Sequence, residues 1–349
     1  TGVQTCALPI CGTMKKALFY SKTEDNHVHC SLCPHECDIA EGKTGICNVR
    51  QNKDGILYSL VYERAIATHI DPIEKKPLFH VYPSSYSFSV ATAGCNFHCK
   101  FCQNSDISQV KYSDYIMGEQ IPARKIVSAA RDNNCRTIAF TYTEPTIFFE
   151  YAFDIAREAI SENIKGVFIS NGYINAEPLK MIAPYLAGAN IDLKGWDDSF
   201  YRKITGGRLQ PVLDTLKLLK KLNVWLEVTT LLIPGFVDSE DTLQNIARFI
   251  KAELGPETPW HISRFHPHYK LTHIDPTSLD VIQKAVKIGY AEGLKYVYSG
   301  NVPGDDGEHT RCPRCNAMLI RRYGFRILEN NIRNGTCNEC GTEIDGVFH

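Results

Sequence analysis

Cysteines gathered in three tight groups are the residues of this sequence best suited to carry chemistry. The groups contain four, three and four of the 14 cysteines and fall within residues 30–47, 95–102 and 312–340. We find no export signal and no apolar run long enough to span a bilayer. Clustered thiols in a reducing compartment are more often metal ligands than disulfides. The sequence therefore predicts a cytoplasmic protein with three metal centres.

The central group has the spacing C-x3-C-x2-C and consists of Cys95, Cys99 and Cys102. Iron-sulfur clusters bound by protein alone normally take four cysteines, so three thiolates in one loop leave one iron without a protein ligand. An open coordination position is typical of a catalytic metal centre and not of a structural one. The alternative is a structural loop that binds zinc or a ferredoxin-like cluster. The spacing favours a catalytic cluster.

The C-terminal group consists of two C-x2-C pairs separated by a β-rich stretch. Two such pairs brought together supply four thiolates in the tetrahedral arrangement of a zinc ribbon. A closed site with four cysteine ligands is structural by default, and an iron-bearing or reactive site is the alternative. The predicted zinc ligands are Cys312, Cys315, Cys337 and Cys340.

The N-terminal group has cysteines separated by two, three and nine residues. This spacing matches neither a plain zinc ribbon nor a bacterial ferredoxin run, so zinc and an auxiliary iron-sulfur cluster both stay open. His29 and His35 could each replace a thiolate, although histidines beside cysteine ligands more often support them or face solvent. The predicted metal ligands are Cys30, Cys33, Cys37 and Cys47.

Three cysteines lie outside these groups. Cys135 has no cysteine near it in the sequence and is predicted to be a small packed apolar residue. Cys6 and Cys11 belong to residues 1–13, which look like a translated sequencing adapter in front of a start at Met14. We exclude this segment from the fold prediction, with a genuine N-terminal extension as the alternative.

The hydrophobic pattern predicts the elements that position the central cysteines. From about residue 85 to 300, β-branched and aromatic runs alternate with segments of helical periodicity, as in repeated βα units. Such units predict an α/β fold with a parallel sheet that is closed or partly closed into a barrel. Its catalytic groups are expected at the C-terminal ends of the strands. The seven predicted strands are 87–92, 137–142, 166–170, 190–193, 225–231, 261–265 and 296–298.

Helix starts and domain limits follow from the same pattern. Asp238 and Ser239 precede early acidic residues and an apolar face, so a helix is predicted to begin there, and Asp275-Pro276 is predicted to start the next one. We predict a cysteine-rich segment at 14–84, a catalytic core at 85–300 and a zinc-ribbon-like module at 301–349. Each small end would need a metal to stay folded.

Polar residues follow several predicted strands at the edge where catalysis is expected. Each has a plain structural alternative: a loop or helix-start residue for Glu144, a turn for Asn171-Gly172, an ion pair for Asp192 with Lys194, and a core or ligand-supporting position for His266. The Glu144 carboxylate could also pair with an ammonium group. Position alone leaves both interpretations of each residue open.

The cysteine loop, with Phe101 before its last cysteine, resembles the signature of the radical S-adenosylmethionine (SAM) superfamily. The resemblance implies a partial (β/α)6 TIM-like barrel and a [4Fe-4S] cluster on the three central cysteines. SAM would chelate the open iron through its amino and carboxylate groups, and reductive cleavage would yield a 5'-deoxyadenosyl radical. Glu144 matches the position of the SAM-amino motif of the superfamily.

Further elements are similar to those around SAM in pyruvate formate-lyase activating enzymes. The resemblance implies SAM contacts for Phe101, Glu144, Asn171, Asp192, Lys194 and His266. In those enzymes an acidic residue linked to a monovalent cation site precedes the threonine, asparagine and glycine after the third strand. Here the stretch reads Phe-Ile-Ser-Asn-Gly at residues 168–172, which puts such a cation site in doubt.

The combination of a C-x-L-C-P-x-x-C segment from Cys30, the core and the C-terminal ribbon resembles the AmmeMemoRadiSam-system radical SAM enzymes. The resemblance implies an electron donor such as flavodoxin or ferredoxin, and Memo-like and AMMECR-like proteins as partners. Three hypotheses follow: hydrogen abstraction from an unidentified substrate that could be a protein, activation of a glycyl-radical enzyme, or a non-catalytic iron-sulfur or zinc adaptor.

The overall charge narrows the partners. A net charge of -1 and a pI near 6.8 provide no basic field for nucleic acid or an anionic membrane, so neither is predicted as a partner. Small molecules or proteins are favoured as substrates. The sequence specifies neither the substrate and product nor the oligomeric state, and it does not say whether SAM is consumed or regenerated.

Overall fold

The N-terminal segment is built from short antiparallel strands. The computed structural model describes residues 14–111, 117–302 and 304–348, so the predicted adapter segment 1–13 lies outside the described residues. The strands here are β1 (Lys15–Lys16), β2 (Tyr20–Lys22), β3 (Val28–Cys30), β4 (Cys37–Ile39), β5 (Arg50–Lys53), β6 (Ile56–Ser59) and β7 (Arg64–Ala65). The first six form two three-stranded sheets, in the orders β1-β6-β5 and β2-β3-β4. Asp54 and Gly55 both have positive φ, as a tight two-residue hairpin between β5 and β6 requires.

An eight-stranded sheet forms the centre of the molecule. The strands that follow in the chain are β8 (Ala67–Pro72), β9 (Tyr86–Ala91), β10 (Glu119–Gln120), β11 (Thr137–Phe140), β12 (Lys165–Ser170), β13 (Leu186–Asp192), β14 (Trp225–Leu232), β15 (Trp260–Arg264) and β16 (Val297–Gly300). Strand β10 pairs with β7, and β8 lies antiparallel to β9 at one edge of the central sheet. The other seven strands are parallel and adjacent in chain order, which confirms the seven predicted strands.

These seven strands are mostly buried along their length, as expected for a parallel sheet covered by helices. In the described part of the chain, β8 and β16 are the two edges of the sheet. The strand pairing therefore establishes a mixed α/β fold with an open sheet, and the predicted barrel stays a prediction.

Helices connect most of the parallel strands. They are α1 (Ser105–Ser108), α2 (Ala123–Asp132), α3 (Phe149–Ala159), α4 (Ala176–Ile182), α5 (Asp198–Phe200), α6 (Leu209–Lys221), α7 (Glu240–Phe249) and α8 (Leu279–Ala291). The predicted helix after Asp238-Ser239 is confirmed, because the Ser239 side chain caps α7 by accepting from the Thr242 amide. No helix in residues 14–111, 117–302 and 304–348 is both long and apolar enough to cross a membrane.

The predicted helix start at Asp275-Pro276 was wrong. Helix α8 begins at Leu279, with extended Ser278 at its N-cap position. Thr277 explains the delay, because its hydroxyl donates to the Leu232 carbonyl at 2.5 Å and its carbonyl accepts from Arg264 at 2.7 Å. These contacts hold the chain extended against the ends of β14 and β15 until the helix begins.

A small β module completes the chain. Its strands are β17 (Thr310–Arg311), β18 (Met318–Tyr323), β19 (Arg326–Asn330), β20 (Ile332–Arg333) and β21 (Thr336–Cys337). The buried Arg322 guanidinium of β18 fixes the module to the core by donating to the Phe79 carbonyl at 3.0 Å, and it donates within the module to the Thr310 hydroxyl of β17 at 2.7 Å. The Tyr82 amide donates to the Val347 carbonyl at 2.7 Å, so the tail also joins the core.

A buried polar network lies where this module meets the sheet. The Glu227 carboxylate of β14 accepts from the His80 amide at 2.8 Å and lies 2.6 Å from His261 Nε2. The His80 ring contacts the Asp345 carbonyl and the Tyr298 hydroxyl, each at 2.6 Å. Burial lowers the pKa of His80 to about 4, against the opposing effect of Glu227. The neutral imidazole is therefore part of the attachment of the C-terminal tail.

Candidate functional site

The central cysteines lie in a loop that begins where β9 ends, at the C-terminal edge of the parallel sheet. Cys99 is buried, whereas Cys95 and Cys102 are partly exposed. The loop is fixed through its backbone: the His98 amide donates to the Thr205 carbonyl at 2.7 Å and the Lys100 amide to the Ile204 carbonyl at 3.0 Å. Both acceptors belong to the π-helical turn Tyr201–Thr205, a local structure that is frequent at functional sites.

The spacing of the sulfur atoms separates the cysteine groups into two kinds. Among the described residues, only Cys312, Cys315, Cys337 and Cys340 form a set of three or more metal-ligand atoms that all lie within 4.8 Å of one another. The central sulfurs are therefore too far apart to surround a single ion. An iron-sulfur cluster places an iron between each thiolate and the rest of the cluster, so it suits the wider spacing.

The Cys95 and Cys99 thiols are protonated unless a cation compensates their burial. Burial raises the pKa of Cys95, to which the nearby charge of Glu144 adds, and it raises the pKa of Cys99 to about 12 despite the opposing effect of Lys194. A coordinated metal deprotonates thiols outright. Cys95 and Cys99 therefore fit a metal cluster whose binding releases their protons.

Glu144 follows β11 and is almost completely buried. One carboxylate oxygen accepts from the Thr146 amide at 3.0 Å, the Thr146 hydroxyl at 2.7 Å and the Ser170 hydroxyl at 2.7 Å. The other accepts from the Asn171 amide at 2.8 Å. Burial raises its pKa, and these hydrogen bonds oppose the rise. The structure thus shows the helix-start role, since Glu144 caps the turn Pro145–Phe148 and joins the ends of β11 and β12.

Asn171 connects the end of β12 to the cysteine loop. Its side-chain Nδ2 donates to Asn96 Oδ1 at 2.8 Å and lies 3.9 Å from the Cys95 sulfur. Its Oδ1 accepts from the Tyr173 amide, and Gly172 has φ +72, so the Asn-Gly turn is also present. A Cβ at Gly172 would lie 2.7 Å from Ile191 Cγ2, which explains glycine at this position.

Asp192 and Lys194 form an ion pair, which is the structural alternative that the sequence offered for these two residues. The Lys194 ammonium lies 2.9 Å from an Asp192 oxygen and 5.6 Å from the centre of the Phe101 ring. Burial alone lowers the pKa of Lys194, but Asp192 and Cys99 raise it and prevail. Lys194 therefore carries its charge beside the cluster loop.

Phe101 and His266 lie in opposite environments. Phe101 is 4 % exposed and stacks on Phe200 at a centroid distance of 6.4 Å, so its ring belongs to the core beneath the loop. His266 is exposed, and its carbonyl accepts from the Gln103 side chain at 3.3 Å. The core position considered for His266 is therefore wrong, because β15 ends at Arg264 and the chain leaves the sheet before it.

Residues that the sequence analysis missed complete the site. Asn96 links the cysteine loop to β12, donating to the Tyr173 carbonyl at 2.8 Å as well as accepting from Asn171. It occupies a variable position of C-x3-C, so the motif contained no signal for it. Ser170 and Thr146 are likewise ordinary residues in the sequence, and their hydrogen bonds to Glu144 arise only from the fold.

A charged cluster beside the site was also missed. Asp71 of β8 accepts from Lys76 at 2.6 Å, Ser89 at 2.8 Å and the Tyr142 hydroxyl at 2.5 Å. Burial would raise the pKa of Asp71, but hydrogen bonds from Lys75, Lys76 and Tyr142 lower it well below its usual range. Tyr142 has φ +64, and its carbonyl accepts from Asn104 in the cysteine loop, so the cluster is connected to that loop.

The C-terminal cysteines form a closed tetrahedral set. Cys312 and Cys340 have sulfurs 3.7 Å apart, and so do Cys315 and Cys337. A tetrahedron with metal-sulfur bonds of about 2.3 Å has edges of about 3.8 Å. Hydrogen bonds from Thr342 lower the pKa of Cys340 to about 6, which favours its thiolate. The group therefore suits a single metal ion bound by four cysteines.

The remaining cysteines and histidines have defined neighbours. Cys135 is 4 % exposed, in agreement with the prediction of a packed apolar residue. His29 Nδ1 lies 2.8 Å from Asp38, and His35 Nε2 lies 2.7 Å from the Asn96 carbonyl. Both rings thus have partners other than a metal.

Comparison with known proteins identifies the family. The model of the radical SAM superfamily matches residues 89–250. An uncharacterized protein of Methanocaldococcus jannaschii is 46% identical over 337 residues, which cover 96% of this chain and 100% of that protein. The chain belongs to the radical SAM superfamily. It is an enzyme of that family, which implies a [4Fe-4S] cluster and SAM, and the hypothesis of a non-catalytic adaptor is not supported.

More distant similarities involve activating enzymes and other radical SAM folds. The pyruvate formate-lyase-activating enzyme of Clostridium pasteurianum is 22% identical over 183 residues, which cover 51% of this chain and 76% of that enzyme. A radical SAM methyltransferase from Sphaerobacter thermophilus aligns with a TM-score of 0.49 and 15% identity, covering 65% of this chain and 71% of that structure.

Proposed function

We propose that this radical SAM enzyme abstracts hydrogen from an unidentified substrate, using a cluster bound by Cys95, Cys99 and Cys102. The observation that supports it best is the set of three widely spaced thiols in one loop at the C-terminal end of β9. The three thiolates would hold a [4Fe-4S] cluster, which in its reduced form would supply the electron for cleavage of SAM to methionine and a 5'-deoxyadenosyl radical. The partial barrel is part of the proposal, since its open edge would admit the substrate.

The polar residues at the strand ends are proposed to position SAM. Asn171 is adjacent to Cys95, and Lys194 with Asp192 presents a fixed charge pair beside Cys99. His266 is exposed on the loop after β15 and free to approach a ligand, whereas Phe101 supports the loop from below. Glu144, which matches the SAM-amino motif, acts as a positioning residue because its oxygens accept from Ser170 and Asn171.

The C-terminal module is proposed to bind zinc through its four cysteines. The sulfur distances of 3.7 Å suit one tetrahedral ion. This assignment agrees with the division into a cysteine-rich segment at 14–84, a core at 85–300 and a ribbon at 301–349. The three cysteine groups in this order support membership of the AmmeMemoRadiSam system, with Memo-like and AMMECR-like proteins as proposed partners.

A narrower candidate function is activation of a glycyl-radical enzyme. The similarity to the pyruvate formate-lyase-activating enzyme of Clostridium pasteurianum favours a protein substrate and a one-electron donor such as flavodoxin or ferredoxin. This candidate predicts a radical EPR doublet on a glycyl-radical enzyme incubated with this protein, SAM and reductant. Turnover of SAM without such a doublet on any glycyl-radical enzyme encoded nearby would favour the broader proposal.

The decisive experiment measures 5'-deoxyadenosine formed from SAM by anaerobically reconstituted protein with dithionite. We expect product from wild type and none from Cys99→Ala, which removes one of the three cluster ligands. Cys135→Ala is the matched control, because it deletes a buried thiol outside the cysteine groups and should retain product formation. Absence of product from wild type with an intact cluster, while a known radical SAM enzyme is active in the same assay, refutes the proposal.

A further inference from the structure

The four N-terminal cysteines enclose one cavity beside the catalytic loop. Cys30 ends β3, Cys37 begins β4 directly opposite it, and Cys33 lies in the turn between them. Cys47 reaches the same cavity from the loop before β5. We propose that these four residues bind an auxiliary iron-sulfur cluster and not zinc.

The spacing of the sulfurs argues against a single ion. All four side chains line the cavity, yet in the described part of the chain no three of them have sulfurs within 4.8 Å of one another. The C-terminal cysteines of the same molecule do converge, with sulfur distances of 3.7 Å. Like the catalytic group, the N-terminal group therefore does not converge on one point, which suits a cluster with an iron at each thiolate better than a single ion.

The walls of the cavity suit a cluster. Besides the cysteines, they include apolar side chains such as Leu32, Ile39 and Ile147 and four polar residues, His35, Arg50, Asn96 and Thr146. Arg50 is 2 % exposed, and its Nε has no hydrogen-bond partner among the described residues. A buried N–H without an acceptor costs free energy. A cluster would supply sulfur acceptors and negative charge, and hydrogen bonds to cluster sulfurs are an established means of tuning reduction potential.

The Arg50 side chain cannot turn away from the cavity to find another acceptor. Its NH1 donates to both oxygens of Glu150 at 3.0 Å, and its NH2 donates to the Leu18 carbonyl at 2.7 Å. Because Glu150 already neutralises one charge, the pair leaves little net charge in the apolar surroundings. Arg50 is therefore held as a directed N–H donor.

The cavity is connected to the catalytic loop through backbone contacts. His35, which lines the cavity, lies 2.7 Å from the carbonyl of Asn96, and Asn96 accepts from Asn171 beside Cys95. On the other side, a Cβ at Gly94 would lie 3.0 Å from the Cys47 carbonyl. The contact between His35 and Asn96 thus lies two residues from Cys37 and one residue from Cys95 in the chain.

Four protein ligands leave no iron open, so this cluster cannot chelate SAM as the catalytic one does. Such a cluster can accept and donate electrons without binding SAM. Its existence does not depend on the proposed reaction, because a four-cysteine cluster forms whether or not the catalytic cluster cleaves SAM.

Metal and sulfide counts on the full-length protein, reconstituted anaerobically, test the proposal. With one [4Fe-4S] cluster at each of two sites and one zinc in the ribbon, we expect about eight iron and about eight acid-labile sulfide atoms per chain, with about one zinc. About four iron and two zinc atoms would overturn it, and so would about four iron and one zinc. These counts need no variant and therefore do not depend on the folding of a mutant.

A variant then isolates the auxiliary site. Cys95→Ser/Cys99→Ser/Cys102→Ser removes the catalytic ligands and leaves the N-terminal group intact. We expect it to retain about four iron atoms and to show a cluster EPR signal after dithionite reduction, whereas the further change Cys37→Ser should remove both. Loss of all iron from the triple variant would refute the auxiliary cluster. Failure of wild type to form 5'-deoxyadenosine would instead refute the proposed function and leave these counts unaffected.

Discussion

Gly94 is the position where the structure makes the sharpest energetic prediction. It directly precedes Cys95 and has φ +98, a conformation that L-residues avoid at a cost of about 1–2 kcal/mol. The Cβ of Gly94→Ala would lie 2.7 Å from Val49 Cγ1 and 3.0 Å from the Cys47 carbonyl. Such overpacking costs about 1–3 kcal/mol more, since the backbone oxygen cannot move independently. The change should therefore destabilise the protein by about 2–5 kcal/mol in total.

Gly42→Ala separates the two costs. Gly42 has φ +74 in the same N-terminal segment, but its added Cβ would meet nothing within 4 Å. This control should lose only the conformational cost of about 1–2 kcal/mol. The free energies of unfolding of the two anaerobic variants should thus differ by about 1–3 kcal/mol, or a few degrees in thermal midpoint at about 1–2 °C per kcal/mol for a chain of 349 residues.

The same pair of variants tests the functional consequence. Gly94→Ala must push the cysteine loop away from Cys47, so we expect slower 5'-deoxyadenosine formation per bound iron, while Gly42→Ala keeps the wild-type rate. Equal unfolding midpoints for the two variants, with equal rates, would refute the close contact between the cysteine segments.

Three other predictions concern charged and polar groups. Glu144→Gln replaces an acceptor of four hydrogen bonds by a group that accepts fewer, which should lower the free energy of unfolding by about 1–3 kcal/mol and accelerate loss of iron to a chelator. The control Glu177→Gln changes an exposed residue of α4 and should behave as wild type. Lys194→Met keeps the packing near Phe101 but removes the charge beside Asp192. The Kd for SAM should therefore rise about tenfold, which corresponds to about 1.4 kcal/mol of binding free energy, at unchanged iron content. An unchanged Kd would exclude the charge pair from SAM binding. His80 has a folded pKa of about 4, below the value of about 6.5 for an unfolded chain, so it contributes stability above pH 6.5 that is lost as the pH falls. Between pH 7.5 and 5.5 the free energy of unfolding of wild type should fall by about 1 kcal/mol more than that of His80→Asn. The same pH dependence of unfolding in both proteins would contradict this assignment.

The parallel sheet could be predicted because its signal is local. Strands such as β11 and β12 are continuous apolar runs, and the polar residues after them mark the C-terminal edge of the sheet. The start of α7 was equally readable, since a serine cap followed by two acidic residues has a local cause. The start of α8 was not, because Thr277 is held by Leu232 and Arg264, which lie far away in the sequence.

The cysteine motifs were predictable for a related reason, whereas the way each group spaces its sulfurs was not. Spacing along the chain identifies ligands, but the distance between sulfurs depends on how separate strands and loops pack. In the C-terminal ribbon two hairpin-like pairs close on each other, and the sulfurs converge to 3.7 Å. In the N-terminal group the cysteines surround a cavity that the catalytic domain helps to line through Asn96 and Ile147.

That shared wall also explains why Arg50 carries no signal in the sequence. An arginine in a short strand is ordinarily solvated. Here the ion pair with Glu150, 100 residues later in the chain, compensates the free-energy cost of burying its charge. A paired guanidinium with one N–H left without an acceptor is costly in a protein interior unless a ligand completes it. The N-terminal segment is therefore better understood as a redox extension of the catalytic site than as a separate structural module. The iron count on the triple variant shows whether the cluster is present, and its EPR signal after dithionite reduction shows whether the cluster accepts an electron.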